Sequence, residues 1–421
     1  MSRLASTVRR VARLGRLVSV GGRTVLGLDT NPVPADWTHI TKVDPEREKK
    51  LPLAYPLYLS HTGAVSVGGS QDVTDRNTEE TFDIVNAAEV AAFHEPSAAD
   101  HVTDRTREAA DFMAVPEVLN GDSEALVGKL GRGIEHVREE LAPAYIEEKL
   151  PVPLGGGMND RLSRFAAAWM MEEAVFEAYI IMNRDSAAAR EANVTEADLL
   201  EPPEAKRRAM AAETHLDSEV IYLEYSGTFG GEEAVDILEA IDEGVSWSRV
   251  WYGGGLDSRE DARAVLDAGA DAVVVGNVFH EVAEEEAELY EAASEEFDRA
   301  PDRDAVREFV EEEVDVADTH AASYLSTSTA VPDPESRAAR YLTAGVHTAL
   351  ELRDIAAGLS DPDGADLRGA IPEPAPGSSV FADAVDDADG LARLLAATLL
   401  ADRFDLETED GLAAHHIGLT L

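Results

Sequence analysis

The residues best equipped for chemistry sit at three strand-to-glycine junctions late in the chain. In Tyr222-Leu223-Glu224-Tyr225-Ser226-Gly227, the apolar run that begins at Val220 ends in a carboxylate and a hydroxyl. It then turns on Gly227 into the helical pattern of Glu232 to Ile241. Val250-Trp251-Tyr252-Gly253-Gly254-Gly255 and Ala272-Val273-Val274-Val275-Gly276-Asn277 repeat the arrangement. Glycine lets a backbone approach a ligand closely and adopt positive φ. A helix start behind such a turn presents unpaired N–H groups to an anion. Amides at Ser226, Gly227, Gly254, Gly255, Gly276 and Asn277 are therefore expected to converge on one phosphate. A single glycine turn is usually a plain loop, whereas three on consecutive strands are far more specific. Glu224, flanked by Tyr222 and Tyr225, is placed to take a proton from a hydroxyl of a bound phosphate ester. Trp251 and Tyr252 read as packing groups.

A second constellation lies near the start. Lys42 and Asp44 are two residues apart, so on a strand they share a face. A surface salt pair would be the ordinary reading, but apolar Ile40 and Val43 surround them and lysine is scarce, occurring only at 42, 49, 50, 129, 149 and 206. The Asp44 carboxylate and the Ser70 hydroxyl of Gly68-Gly69-Ser70 suit a hard cation such as Mg²⁺, with phosphate oxygens and water completing the shell.

Eight apolar stretches can position these groups: Thr38–Val43, Ala64–Val67, Val90–Phe93, Phe112–Val115, Ala178–Met182, Val220–Leu223, Val250–Tyr252 and Ala272–Val275. Most are short and several are rich in Val and Ile, as parallel strands covered on both faces are. Helical stretches separate most of them, which predicts an α/β fold, a modified (β/α)8 TIM barrel whose functional groups gather at the strand C-termini. An open doubly wound sheet is the alternative. The third unit is short, with only Thr103 to Ala110 able to form a helix. The connection from Leu119 to Glu177 is long, and its stripe from Arg161 to Val175 is apolar enough to pack or to line a greasy groove, packing being the more common role of such a stripe. The expected division is a basic segment over 1–30, a barrel over 31–298 and a mostly helical C-terminal extension over 299–421. His415 and His416 are adjacent, so they suit one metal poorly, and no nearby ligand set completes a site. Packing or oligomerisation is the expected role of the extension.

Composition narrows the classes. The chain has 421 residues, 83 acidic against 36 Lys and Arg, and a formal charge of −47. Such a surface repels nucleic acid. The acid is spread throughout and apolar content is normal, so disorder is not expected. An acidic skin poor in lysine resembles that of salt-adapted proteins, where salt screens the self-repulsion. There is no cysteine, hence no disulfide and no thiolate metal site. No apolar run is long enough to span a bilayer. The first 28 residues differ: Arg3, Arg9, Arg10, Arg13, Arg16 and Arg23 occur with no acid before Asp29. A basic amphipathic helix there would touch an anionic membrane surface; a frayed extension, or a stretch upstream of the true start, reads equally well.

Taken in order, these segments resemble a known family, the archaeal geranylgeranylglyceryl phosphate synthases and the related bacterial heptaprenylglyceryl phosphate synthases. The matching pieces run from Trp37-Thr38-His39-Ile40-Thr41-Lys42-Val43-Asp44-Pro45 through Val67-Gly68-Gly69-Ser70, Glu95-Pro96, Val115-Pro116 and Ala178-Tyr179-Ile180. They continue through Tyr222 to Gly227, Tyr252 to Gly255 and Val275-Gly276-Asn277. The resemblance implies a cytoplasmic enzyme, peripherally membrane-associated if the basic segment is an anchor, and a homo-oligomer. It would join sn-glycerol 1-phosphate to a polyprenyl diphosphate, geranylgeranyl being expected, and release pyrophosphate. Asp44 and Ser70 would hold Mg²⁺. Lys42, Tyr222, Leu223, Glu224, Tyr225, Ser226, Gly227, Gly254, Gly255, Gly276 and Asn277 would bind the glycerol phosphate, with Glu224 activating its hydroxyl and Tyr222 beside it. The long 119–177 connection and both extensions depart from compact members. Two alternatives remain: a barrel acting on a soluble sugar or indole phosphate, and an inactive paralogue serving as a lipid-surface scaffold.

Overall fold

A computed structural model describes residues 28–69, 73–98, 101–149, 156–406 and 411–421. The arginine-rich start up to residue 27, and Ser70, lie outside the described residues. Eight strands form one sheet: β1 (His39–Val43), β2 (Ala64–Val67), β3 (Ala92–His94), β4 (Ala114–Val118), β5 (Val175–Ile181), β6 (Val220–Tyr225), β7 (Arg249–Gly254) and β8 (Ala272–Val275). The order β3-β2-β1-β8-β7-β6-β5-β4, parallel throughout, is that of a (β/α)8 barrel opened at one seam. The open-sheet alternative is excluded, because β1 pairs with both β2 and β8 and a bridge joins His94 of β3 to Met113 before β4.

Proline explains why that seam stops after one bridge. In a parallel strand the N–H and C=O of one residue face the same side, and the side alternates along the chain. The Met113 carbonyl and the Leu119 N–H both bond to β5, so Pro116, of opposite parity, faces β3 and has no N–H to offer.

Period-two alternation divides the barrel inside from outside. Ile40, Ala64, Phe93, Val175, Tyr179, Tyr222, Trp251 and Val274 form an interior cluster. Their neighbours Val43, Val65, Val67, Ile180, Leu223, Val273 and Val275 pack outward against helices. The connection from β1 to β2 holds only the five-residue helix Tyr55–Leu59, and among the described residues the α-helix in the connection from β3 to β4 is the six-residue Asp104–Ala109.

The extension helps to close the outer layer. On β1, Thr41 Oγ1 shares a 2.7 Å hydrogen bond with the Tyr324 hydroxyl, and His39 Nε2 one of 3.0 Å with Thr327 Oγ1. Both partners belong to the helix His320–Thr327. The long helix Pro334–Ala357 packs behind it, and its Tyr341, Leu342, Val346 and Leu350 share one hydrophobic core with the barrel.

The 119–177 connection becomes a helical hairpin. Its first arm is helical over 124–149, with π turns at Glu124–Gly128 and Val137–Leu141; the second is the helix Gly156–Glu172. At 1.5 Å per residue the first arm is roughly 40 Å long. The arms meet through Ala142, Ala166 and Ala167, whose small side chains let the backbones approach closely.

One buried carboxyl ties barrel and extension together. Glu286 accepts from the amides of Leu53 and Ala54, and an added Cβ on Gly345 would fall 2.0 Å from its Oε2. Burial pushes its carboxyl up to about 8. The folded protein therefore holds a proton that the unfolded chain releases near the ordinary value, so this group's contribution is fully present at low pH and is lost as pH rises through about 8. Stability of the wild type relative to Glu286→Gln should fall between about pH 4 and pH 8. Parallel urea titrations across that range would show it. Gly345→Ala should destabilise at all pH values by displacing Glu286 from its two amides.

Candidate active site

The C-terminal ends of β1, β6, β7 and β8 open into one cavity of about 1050 Å³. Lys42, Asp44, Glu95, Tyr179, Tyr222, Glu224, Ser226, Gly227, Gly254, Gly255, Gly276 and Asn277 all line it. Asp44 and Gly276, from opposite ends of the barrel sequence, thus share one mouth.

Lys42, two residues after interior Ile40, reaches Glu95, two residues after interior Phe93. Its Nζ lies 2.9 Å from Glu95 Oε1. Glu95 also accepts from the Tyr179 hydroxyl and, at 2.9 Å, from Ser66 Oγ. Burial works against the charge on Glu95, but Lys42, Tyr179 and Ser66 outweigh it and hold the carboxyl below its ordinary value. Burial likewise opposes the Lys42 ammonium, and Glu95 and Asp44 more than offset it, so Lys42 stays charged. Glu177 sits on the interior face of β5 with neither oxygen hydrogen-bonded. Burial first, and the Glu95 charge second, push its carboxyl far up, so it is a neutral acid.

Glu224 closes the interior face of β6 and is 1% exposed. Its Oε1 accepts from the Ser226 amide at 3.1 Å, whereas Oε2 has no partner. Burial raises its pKa, opposed by the Ser226 hydrogen bonds and by Lys42. A carboxylate with one anchored and one unengaged oxygen at a cavity wall suits proton abstraction. Tyr222 packs against Tyr179 with ring centroids 4.5 Å apart and planes tilted by 51°, and its hydroxyl packs over Gly253, where an added Cβ would fall 2.0 Å away.

The glycine turns meet as their spacing predicts, with differences of detail. Gly227 turns at φ +82°, and Gly276 immediately precedes the helix Asn277–Glu296, whose first amides have no intrahelical partners. Gly276 lies against Lys42, so amide ends and ammonium face the same space. Several of the six amides are engaged internally: Ser226 donates to Glu224, Gly255 to the Thr228 carbonyl at 2.9 Å, and Gly254 belongs to the sheet ladder, paired with Tyr225 of β6 and directly following the Gly253–Val274 pair with β8. The side chains of Leu223 and Tyr225, included among the substrate-binding residues, face the helix layer instead of the cavity. Strand alternation requires this, because Tyr222 and Glu224 take the interior face. Tyr225 stacks on Tyr252 and donates to Glu233 at 3.2 Å.

At the opposite rim, the Asp44 amide donates to His280 Nε2 at 3.2 Å, and His280 Nδ1 donates to the Lys50 carbonyl at 2.8 Å, which fixes the ring's tautomer. Burial raises the Asp44 carboxyl, with Lys42 and Lys49 opposing. A Cβ on Gly69 would stand 3.2 Å from Glu46 Oε1 and 3.4 Å from Asp44 Oδ1, so glycine leaves room there beside two hard oxygen donors. That donor chemistry fits Mg²⁺.

Glu95, Tyr179 and Glu177 were not among the expected site residues. Glu95 and Glu177 each stand two residues beyond an interior apolar residue, Phe93 and Val175, and Tyr179 two beyond Glu177; that parity was the signal available. Beyond the polar end, the cavity runs between apolar side chains of the hairpin, including Leu130, Ile134, Val137, Leu141, Met170 and Met171.

A parallel eight-stranded barrel with an anion cradle at its last strands and an acid beside it defines a phosphate-binding (β/α)8 enzyme. Residues 34–294 match the model of the PcrB family, and the chain belongs to that family. It is 32% identical over 249 residues to a geranylgeranylglyceryl phosphate synthase of Halobacterium salinarum, covering 59% of this chain and 89% of the relative. A heptaprenylglyceryl phosphate synthase of Bacillus pumilus is 29% identical over 247 residues, covering 58% and 91%. Among solved structures, the geranylgeranylglyceryl phosphate synthase of Thermoplasma acidophilum in complex with sn-glycerol-1-phosphate gives a TM-score of 0.42 at 20% identity, covering 58% of this chain and 86% of that one.

Glu95→Gln should leave the Lys42 ammonium partly buried without its anion. Losing one partner of such a pair costs on the order of 3–5 kcal/mol when burial is complete; the low end is expected, since the Lys42 side chain keeps 26% exposure. Chemical denaturation would read the loss, and Lys42→Met combined with Glu95→Gln should recover part of it.

Proposed function

We propose that this chain joins sn-glycerol 1-phosphate to a polyprenyl diphosphate, forming a prenyl ether and releasing pyrophosphate. The observation that carries the reading is continuity: one cavity begins at Lys42, Gly276 and Glu224 and leads between apolar hairpin helices. The names of the family's relatives support it. A soluble phosphate ester would need no such corridor, which disfavours the sugar or indole phosphate alternative.

Lys42 and the helix-start amides at Asn277 and Val278 grip the phosphate. Gly227 and Gly254 line its approach, and the glycerol is then held with a hydroxyl beside Glu224 Oε2. As the glycerol hydroxyl oxygen attacks the prenyl C1, a C–O bond forms, the C1–O bond to the diphosphate breaks with its electron pair leaving on pyrophosphate, and Glu224 takes the hydroxyl proton. Asp44 would hold Mg²⁺ at the rim, and the chemistry the ion would supply there is neutralisation of the leaving diphosphate's charge. Leu130, Ile134, Val137, Leu141, Met170 and Met171 bury the prenyl tail and keep water from the developing carbocation character at C1.

Incubation in high salt with Mg²⁺, sn-glycerol 1-phosphate and the C20 diphosphate should yield the prenyl ether and pyrophosphate; no turnover would overturn the reading. Glu224→Gln should cut kcat by roughly 10²–10⁴ while leaving glycerol phosphate affinity within a few-fold. An unchanged rate would remove Glu224 as the base.

Because burial raises the Glu224 pKa, activity should fall on the acid side through a limb above the ordinary Glu value of about 4.3. The residual rate of Glu224→Gln should lack that limb in a pH–kcat profile. Asp44→Asn should raise the Mg²⁺ concentration needed for half-maximal rate.

A further inference from the structure

A cluster remote in sequence from the active-site residues has the geometry of a metal centre. Glu80 lies on the helix Asp75–Asn86, and His415 and His416 lie on the short turn Ala414–His416 near the end of the chain. Their adjacency suggested no shared metal, and no third ligand was visible in sequence; the fold brings Glu80 to both rings. His415 Nε2 stands 3.3 Å and His416 Nε2 3.6 Å from the same oxygen, Glu80 Oε2, and all three atoms lie within 4.8 Å of one another.

These distances are within reach of an ion pair but long for a hydrogen-bonded one. A charge-assisted N–H···O bond would draw its atoms to about 2.7–2.9 Å, yet Glu80 Oε2 and His416 Nε2 are both buried with no hydrogen-bond partner. They fit tetrahedral coordination. With metal–N and metal–O bonds of about 2.0–2.2 Å, neighbouring ligand atoms stand about 3.3–3.6 Å apart. His416 is 2% exposed, so its unpartnered nitrogen is aimed into the cluster, while His415 stays partly open to solvent.

The neighbouring cations are otherwise engaged. Arg76 Nε bonds the other Glu80 oxygen at 2.8 Å, and Lys50 Nζ donates to the carbonyls of His415 and Arg47. Backbone bonds already hold the turn in place: Leu51 donates to the His416 carbonyl at 2.8 Å, and Gly418 to the Leu51 carbonyl at 2.9 Å.

We propose that Glu80, His415 and His416 form a structural site for a divalent transition metal of the zinc type, with water as fourth ligand. Two imidazoles and a carboxylate select such an ion over Mg²⁺ or Ca²⁺, which prefer all-oxygen shells. The metal would fasten the end of the chain to the helix after β2, beside the loop that leads from Asp44 to Leu51.

The test is titration of the full chain, free of any affinity tag, with Zn²⁺ or Co²⁺ in high KCl and excess Mg²⁺, which suppress loose binding to the acidic surface. One tight equivalent is expected, with a visible ligand-field band for Co²⁺ and a higher Tm with Zn²⁺. His416→Ala, His415→Ala and Glu80→Gln should each weaken binding by more than the roughly 10–100-fold that loss of an outer-shell partner costs. The Tm rise should vanish in each. If His416→Ala fails to fold, the two more exposed positions decide. No tight equivalent in the wild type, or undiminished binding in His415→Ala and Glu80→Gln, would overturn the site.

Discussion

The buried pair between Lys42 and Glu95 is the constraint around which the barrel mouth is arranged. Taking two charges from water is costly unless each finds close partners. Glu95 meets that condition by drawing donors from three strands, Lys42 on β1, Ser66 on β2 and Tyr179 on β5. Burial raises the carboxyls of Glu177 and Glu224, and the negative charge fixed on Glu95 adds to both shifts. Three carboxyl groups of one chamber are thus pushed in different directions, Glu95 down and the other two up. The pair also leaves a single lysine at the glycine turns to meet an incoming anion.

Much of this was legible because it follows from short-range rules. β2 and β8 fall where Ala64–Val67 and Ala272–Val275 were expected, since each is a short, mostly apolar run ending at glycine. The shared face of Lys42 and Asp44 needed only period two. Other edges moved for identifiable reasons. β5 starts at Val175, not Ala178, because Val175 and Phe176 resemble the apolar stripe of the preceding helix, which ends at Glu172. β6 continues to Tyr225, two residues past Leu223, which buries Glu224 inside the sheet. β4 runs through Pro116, which reads locally as a stop but is tolerated on a side that lacks a full ladder.

What sequence could not give depends on contacts between distant segments. Glu95 gains its meaning from Tyr179, and His416 from Glu80; neither partnership has a local spacing. The extension is another case. Its helical periodicity was plain, yet nothing in it announced that Tyr324 would bond to Thr41 and cover β1, where the barrel's own connection supplies only Tyr55–Leu59. The stripe from Arg161 to Val175 could be read as packing or as the wall of an apolar groove, and the hairpin does both: its alanine contacts are packing, and Met170 and Met171 line the active cavity.

The single bridge between β3 and β4 gives the barrel a slot. A fully laddered cylinder admits ligands through its top, and their length is limited by its depth. Here Pro116 ends the ladder at the level where the cavity opens, and beside that gap stand the short helix Asp104–Ala109 and the hairpin, with Arg107 over the Tyr145 ring. A molecule far longer than the cylinder is deep can therefore keep its charged head on the axis and let its tail leave sideways. Reach is then set by what lies outside the wall, so changes in tail length need not disturb the chemistry at its head.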